Sequence, residues 1–253
     1  MEKLKISIVS YLNSLPFTFG LENYNNFSNL FEATKDFPSA CADKLKTGQT
    51  DIGLIPVAEL PNVKSGRIIS DYCIGANGKV KTVLLVSQVP LHNMETILLD
   101  YQSGTSVTLC KILDKEFWHS SPKYQHGKKG YESEIKGNTG GVIIGDRTFN
   151  LPKPFKYIYD LSEEWKKHTG LAFTFAVWAA NKKISADFTE KFNKALTFGL
   201  QNIDTVTKKY ADNQYITAER LKEYLEKDIS YAYDEEKKKS VELFLNLKAK
   251  YKL

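Results

Sequence analysis

The chain has 253 residues, 42% hydrophobic, 26% charged and 12% aromatic, with a formal net charge of +5. This balance excludes a disordered, collagen-like or coiled-coil chain and leaves room for one large core or two modest ones. The mild positive charge suits anionic small molecules better than nucleic acid, and no run of about eighteen uncharged apolar residues offers a membrane span.

Ile6 to Val9 is a short apolar run behind Lys3-Leu4-Lys5. It is too short for the core of an export signal, and no small-residue cleavage site follows, so it reads as a first strand of a cytoplasmic chain. Ser10-Tyr11-Leu12-Asn13-Ser14-Leu15-Pro16-Phe17 comes directly after it. The end of a buried parallel strand, opening onto a helix, is where α/β proteins place ligands, and free amides there attract anions. From the spacing alone an ordinary turn capped by Asn13 or Ser14 is the favoured reading.

Ser39 is the expected N-cap of a short helix ending near Gly48, and Asp51 to Pro56 follows as a buried strand. Lys81 to Ser87 is a third strand, rich in β-branched residues. Ile97 to Asp100 breaks into Ser103-Gly104-Thr105-Ser106, and Val107 to Phe117 then reads as a helix. Here again hydroxyls sit between a strand and a helix, as carboxylate donors or as caps. The segment His119 to Asn138, rich in Lys, Gly and Ser, reads as an exposed loop. Gly140 to Asp146 is another buried strand. Asp146 either accepts a substrate hydroxyl or caps the next turn, and Arg147 is either an anion partner or a surface arginine.

Ala172 to Ala180 is the longest apolar stretch. Helices follow, marked by Phe188, Phe192, Leu196, Leu200 and Ile203, then by Leu221 and Leu225, then by Val241, Phe244 and Leu245 behind a cap at Asp234. Lys237-Lys238-Lys239 reads as a solvated face of the last helix. Cys41, Cys73 and Cys110 are odd in number and lack Cys-x-x-Cys spacing, as buried free thiols would. His92, His119, His126 and His168 lack metal spacing, so no metal is expected. No Walker A, Rossmann, Gly-x-Ser-x-Gly or His-Glu-x-x-His motif occurs, which leaves nucleophilic and metal hydrolysis without support.

The alternation argues for α/β layers with parallel sheets. Two strands act as hinges, Thr82 to Ser87 leading into a second unit and Phe173 to Ala180 leading back. The expected architecture is two lobes, residues 1–86 plus 179–253 and residues 87–178, with the C-terminal helices on the first lobe and a ligand cleft between the two.

Several blocks together resemble the chorismate dehydratases of the futalosine route to menaquinone. They are Ser10 to Pro16, Asp51 to Glu59, Leu99-Asp100 with Ser103 to Ser106, Gly145-Asp146, and Thr169 to Phe173 with Ala176-Val177-Trp178. The resemblance implies a type 2 periplasmic-binding-protein fold used as an enzyme, water loss from dianionic chorismate to give 3-[(1-carboxyvinyl)oxy]benzoate, and no cofactor. It maps the family's key asparagine to Asn13. It implies substrate contacts from Ser10, Tyr11, Ser14, Pro56, Thr82, Ser103, Thr105, Ser106 and Asp146. The chain departs from the family pattern with Gly104 where an arginine would stand and Thr82 where serine is usual. The competing readings are a solute-binding protein for a small anionic metabolite, the related dihydroxynaphthoate synthase, and a regulatory effector-binding domain. The first lacks an export segment, the second a histidine at a strand end, and the third a helix-turn-helix before Ile6.

Overall fold

The computed structural model describes residues 3–151, 154–211 and 216–253. They divide into two compact units, residues 1–75 with 174–234, and residues 76–173 with 235–253.

The first unit opens with β1 (Leu4–Val9), whose last four residues are buried. A short 3-10 turn leads into α1 (Leu15–Asn23), and the chain returns as β2 (Phe31–Asp36). The next helix, α2 (Pro38–Lys46), begins one residue before Ser39. Phe37 holds the N-cap position and Pro38 the first turn, where its missing N–H costs nothing, so Ser39 is not the cap. Gly48 lies just past this helix at φ +73°, a left-handed turn that favours glycine. Then come β3 (Ile52–Pro56), entirely buried, and β4 (Arg67–Ala76).

The second unit holds β5 (Val83–Ser87), β6 (Thr96–Leu99), α3 (Gly104–Leu113), β7 (Lys123–His126), β8 (Thr139–Ile144), β9 (Tyr157–Asp160) and α4 (Leu161–Thr169). The segment 119–138 is not simply an exposed loop. It forms β7 and a 3-10 turn that buries Tyr131 to 1% exposure, because the ring fills the space above Gly127 and Gly141. The chain returns to the first unit with β10 (Phe173–Ala180), α5 (Ala186–Gln201), α6 (Ile203–Tyr210), α7 (Ala218–Glu223) and β11 (Ser230–Ala232). The last helix, α8 (Glu235–Lys250), groups with the second unit rather than the first. Phe244 of α8 meets Phe173 and Trp165 edge to face, and Trp165 donates from Nε1 to Ser240 Oγ at 2.9 Å. Lys237 is buried and does not lie on a solvated face. Among the described residues no helix is long and apolar enough to cross a membrane.

The sheets are mixed, not parallel throughout. The first runs β11-β4-β10-β3-β1-β2, the second β7-β6-β8-β5-β9. β1 is parallel to β2 and β3, and β6 is parallel to β7 and β8. Antiparallel pairing occurs where β11 meets β4 and at the strands that follow each change of unit: β10 runs antiparallel to β3, and β5 runs antiparallel to β8 and β9. A strand entering from outside the unit has no βαβ crossover to set its direction, so the parallel rule does not bind it.

In the first unit α1 lies against α5 with almost no gap. A Cβ on Gly20 would overlap the Ala195 carbonyl oxygen, and one on Gly199 the Pro16 carbonyl oxygen. Phe17 on the same helix is fully buried against Trp178 and Tyr231. These contacts fix the start of α1, and with it the turn that precedes it.

Candidate functional site

The turn after β1 carries the first group of expected site residues. Ser10 is exposed, and its N–H donates to the Asp36 carbonyl at 3.0 Å. Tyr11 is half-buried. Leu12, Asn13 and Ser14 form the 3-10 turn. Ser14 stands at the N-cap position of α1 but does not cap it. Its hydroxyl turns back to the Tyr11 carbonyl at 2.8 Å and to the Val9 carbonyl, so it closes the turn.

Asn13 does not cap α1 either. Its backbone carbonyl accepts from the Tyr231 hydroxyl at 2.9 Å. Its side-chain Oδ1 is buried and has no hydrogen-bond partner. Leaving such an atom unpaired costs about 1–3 kcal/mol, a penalty that a ligand hydrogen bond would remove. The position is the C-terminal end of β1, beside the parallel β3 that ends at Pro56, the edge at which open α/β sheets bind ligands. Pro56 is buried and pairs with Ala176 of β10.

In the second unit the expected residues come from three loops at one sheet edge. Ser103 is the N-cap of α3: its Oγ accepts from the Ser106 N–H at 3.0 Å and donates to Ser106 Oγ at 2.9 Å. The capping role is therefore real, and it leaves the Ser106 hydroxyl proton free of that pair. Thr105 and Ser106 are 1% and 2% exposed. Thr82 is buried before β5, and its carbonyl accepts from the Gly145 N–H at 2.9 Å. Gly145 has φ +65°, which lets β8 break sharply into the 3-10 turn that carries the half-buried Asp146.

Sequence reasoning missed the group that ties these loops together. Asp100, at the end of β6, is buried, and its Oδ2 accepts from Arg147 and from the Tyr131 hydroxyl at 3.0 Å. Arg147 also pairs with Glu132. It is a half-buried clamp and not a free surface arginine. Burial pushes the Asp100 carboxyl up from its ordinary value, against the pull of Arg147 and the Gln102 N–H. Burial also raises Asp160, the N-cap of α4, although four backbone N–H groups oppose it. The signal for the cluster was an acidic residue at a strand end, but nothing in the spacing joins Asp100 to an arginine 47 positions away.

Solved structures of known proteins share this architecture. Protein AF1704 from Archaeoglobus fulgidus matches with a TM-score of 0.76 at 12% identity, over 99% of this chain and 98% of that one. The alkanesulfonate-binding protein SsuA from Xanthomonas axonopodis pv. citri, bound to MOPS, gives 0.68 at 11% identity, over 99% and 93%. A Candida albicans protein with the generic periplasmic binding protein fold, the CA3427 product, gives 0.61 at 14% identity, over 96% and 90%. The chain therefore has the periplasmic-binding-protein fold. By sequence it is similar to the chorismate dehydratase of Thermus thermophilus, 27% identical in an alignment of 194 positions that covers 66% of this chain and 71% of that protein. The profile of the menaquinone biosynthesis family matches residues 4–250, nearly the whole length, and the chain belongs to that family.

Proposed function

We propose that this chain is a chorismate dehydratase, a hydro-lyase that removes water from chorismate to give 3-[(1-carboxyvinyl)oxy]benzoate. The observation that carries the reading is the buried, unpaired amide oxygen of Asn13 at the C-terminal end of β1. The similarity to the Thermus thermophilus enzyme and membership of the family support it.

The chemistry asks little of the protein beyond placement. One C–H bond at ring carbon 3 and the C–O bond at carbon 4 break, water leaves, and the ring becomes aromatic, so the product side is strongly downhill. The reaction is redox-neutral and balances without a cofactor. Orientation and preorganised donors are the tools left, and the latter supply roughly 3–4 kcal/mol each. Asn13 is neutral and a poor base. Its Oδ1 accepts from a substrate hydroxyl, and its Nδ2 donates to a carboxylate or to the oxygen on which charge develops. The base is the side-chain carboxylate of the substrate itself.

Ser10, Tyr11 and Pro56 border Asn13 on this reading, and Ser14 acts by holding the turn. In the second unit Ser103, Thr105, Ser106 and Thr82 are carboxylate donors on this reading, and Asp146 a hydroxyl acceptor. The ligand is a small dianion. A cytoplasmic location belongs to the same proposal.

The test is incubation of the purified protein with chorismate, following loss of its absorbance and appearance of the enolpyruvyl benzoate. Asn13→Ala is expected to keep the melting temperature and lose roughly 10²–10³-fold in kcat. Near wild-type turnover in the variant removes Asn13 from the mechanism. Chorismate bound but not converted by the wild type makes the protein a binder.

A further inference from the structure

We propose that Arg147 is the carboxylate receptor of the second unit and that Glu132 occupies it as a built-in stand-in until the ligand arrives. The inference rests on the reading above only in taking the ligand to be a small carboxylate.

Arg147 has one arm that is fixed and one that is exchangeable. The fixed arm holds Asp100, whose side chain has 0% exposure. That carboxylate also accepts from the Tyr131 hydroxyl at 3.0 Å and the Gln102 N–H at 2.8 Å, so it is anchored from three sides. Removing a partner from a buried charge is far more costly than exchanging one at the rim. The exchangeable arm holds Glu132, whose side chain is 15% exposed and sits on a 3-10 turn just after Gly130. Among the described residues Arg147 is the only hydrogen-bonding partner of Glu132.

The charge count points the same way. One guanidinium faces two carboxylates, so one of them can leave without stranding a cation. Arg147 itself is held in plane: its guanidinium carbon stands 5.3 Å from the centre of the Tyr101 ring and 6.0 Å from that of Tyr131. What can change is the anion opposite its outer edge. A planar fork built for bidentate carboxylates does not distinguish a glutamate from a ligand of the same shape.

Position completes the argument. Arg147 follows β8 and Asp100 follows β6, two parallel neighbours, so both stand at the strand ends where such sheets bind ligands. Asp146 precedes Arg147, and the capped hydroxyl loop begins three residues after Asp100. An incoming carboxylate there would meet the guanidinium and hydroxyl donors together, while Glu132 turns out to water.

The experiment measures the chorismate dissociation constant by calorimetry, and KM and kcat by turnover, for the wild type, Glu132→Gln, Arg147→Lys and the double variant. Glu132→Gln is expected to tighten binding and lower KM by roughly threefold to tenfold, with kcat within about twofold, since it removes a competitor for a charge-assisted bond. Arg147→Lys is expected to weaken binding by roughly tenfold, and the gain from Glu132→Gln is expected to vanish in its background. A merely structural ion pair predicts the reverse sign for Glu132→Gln: a lower melting temperature with affinity unchanged or poorer. That result, or a gain that persists without the arginine, overturns the inference. If Arg147→Lys fails to fold, the sign of the Glu132→Gln effect decides alone. Binding without turnover sinks the enzymatic reading and leaves this one to be read from the dissociation constants. No binding of chorismate by the wild type sinks both.

Discussion

Asp36 shows how side chains that look unremarkable in the sequence become specific once folded. It ends β2, and its Oδ2 takes hydrogen bonds from Ser7 Oγ at 2.7 Å and Thr34 Oγ1 at 2.6 Å, with Lys44 Nζ at 2.7 Å from both oxygens. Burial alone would raise its carboxyl, but Lys44, Thr34 and Ser7 outweigh burial and hold it below its ordinary value of 3.8. The fold thus favours the charged form. Its stabilisation is fully present above about pH 4 and is lost as pH falls through the lowered folded value. Asp36→Asn is expected to cost about 1 kcal/mol at neutral pH and to flatten the acid limb of stability, which urea midpoints at pH 7, 4 and 3 would reveal. Equal pH dependence in the two proteins would exclude this role. The same residue scale separates what could be read in advance from what could not. The place of Asn13 just after the first strand was legible, because the apolar run before it marks that strand. The inward turn of the Ser14 hydroxyl was not, because a serine after a strand reads alike whether it caps, closes a turn or binds. The burial of Lys237 was equally illegible, since a run of lysines is solvated almost everywhere else.

At the level of elements, the sequence disclosed those that bury most. β3, β5 and β10 are buried at every residue and β8 at all but Thr139, and the stripes of α5 and α8 repeat at helical spacing. β2, β7 and β9 escaped notice because they are edge strands. β2 buries only Phe31, and β7 has no buried residue, so neither needs a periodic apolar pattern. The α1–α5 contact is the element on which the Asn13 turn depends. Glycines at 20 and 199 let the two backbones meet, and any side chain there would clash with a carbonyl rather than with a movable group. Gly199→Ala is expected to destabilise by about 1–3 kcal/mol or more, seen as a lower urea midpoint with an unchanged slope. A neutral effect would show that the helices can separate freely, and the fixed start of α1 would lose its basis.

For the molecule as a whole, the division into units follows packing and not the run of hydrophobicity. The boundaries fall at 75 and 173, and the final helix joins the second unit through Phe244, Trp165 and Phe173. No pattern inside α8 says which neighbour it will choose, because an amphipathic stripe names a need for burial and not a partner. Phe244→Ala is expected to cost about 3–5 kcal/mol, and thermal melts followed by tryptophan fluorescence should show an earlier transition. An unshifted transition would detach α8 from this core. The strand order has a further consequence for how the chain is made. β10 lies between β4 and β3 in the first sheet, yet it is reached only at residue 173, whereas all five strands of the second sheet lie between residues 83 and 160. A polypeptide leaving the ribosome therefore completes its second sheet while its opening strands still wait for the piece that joins them, with their apolar edges open to chaperones in the meantime.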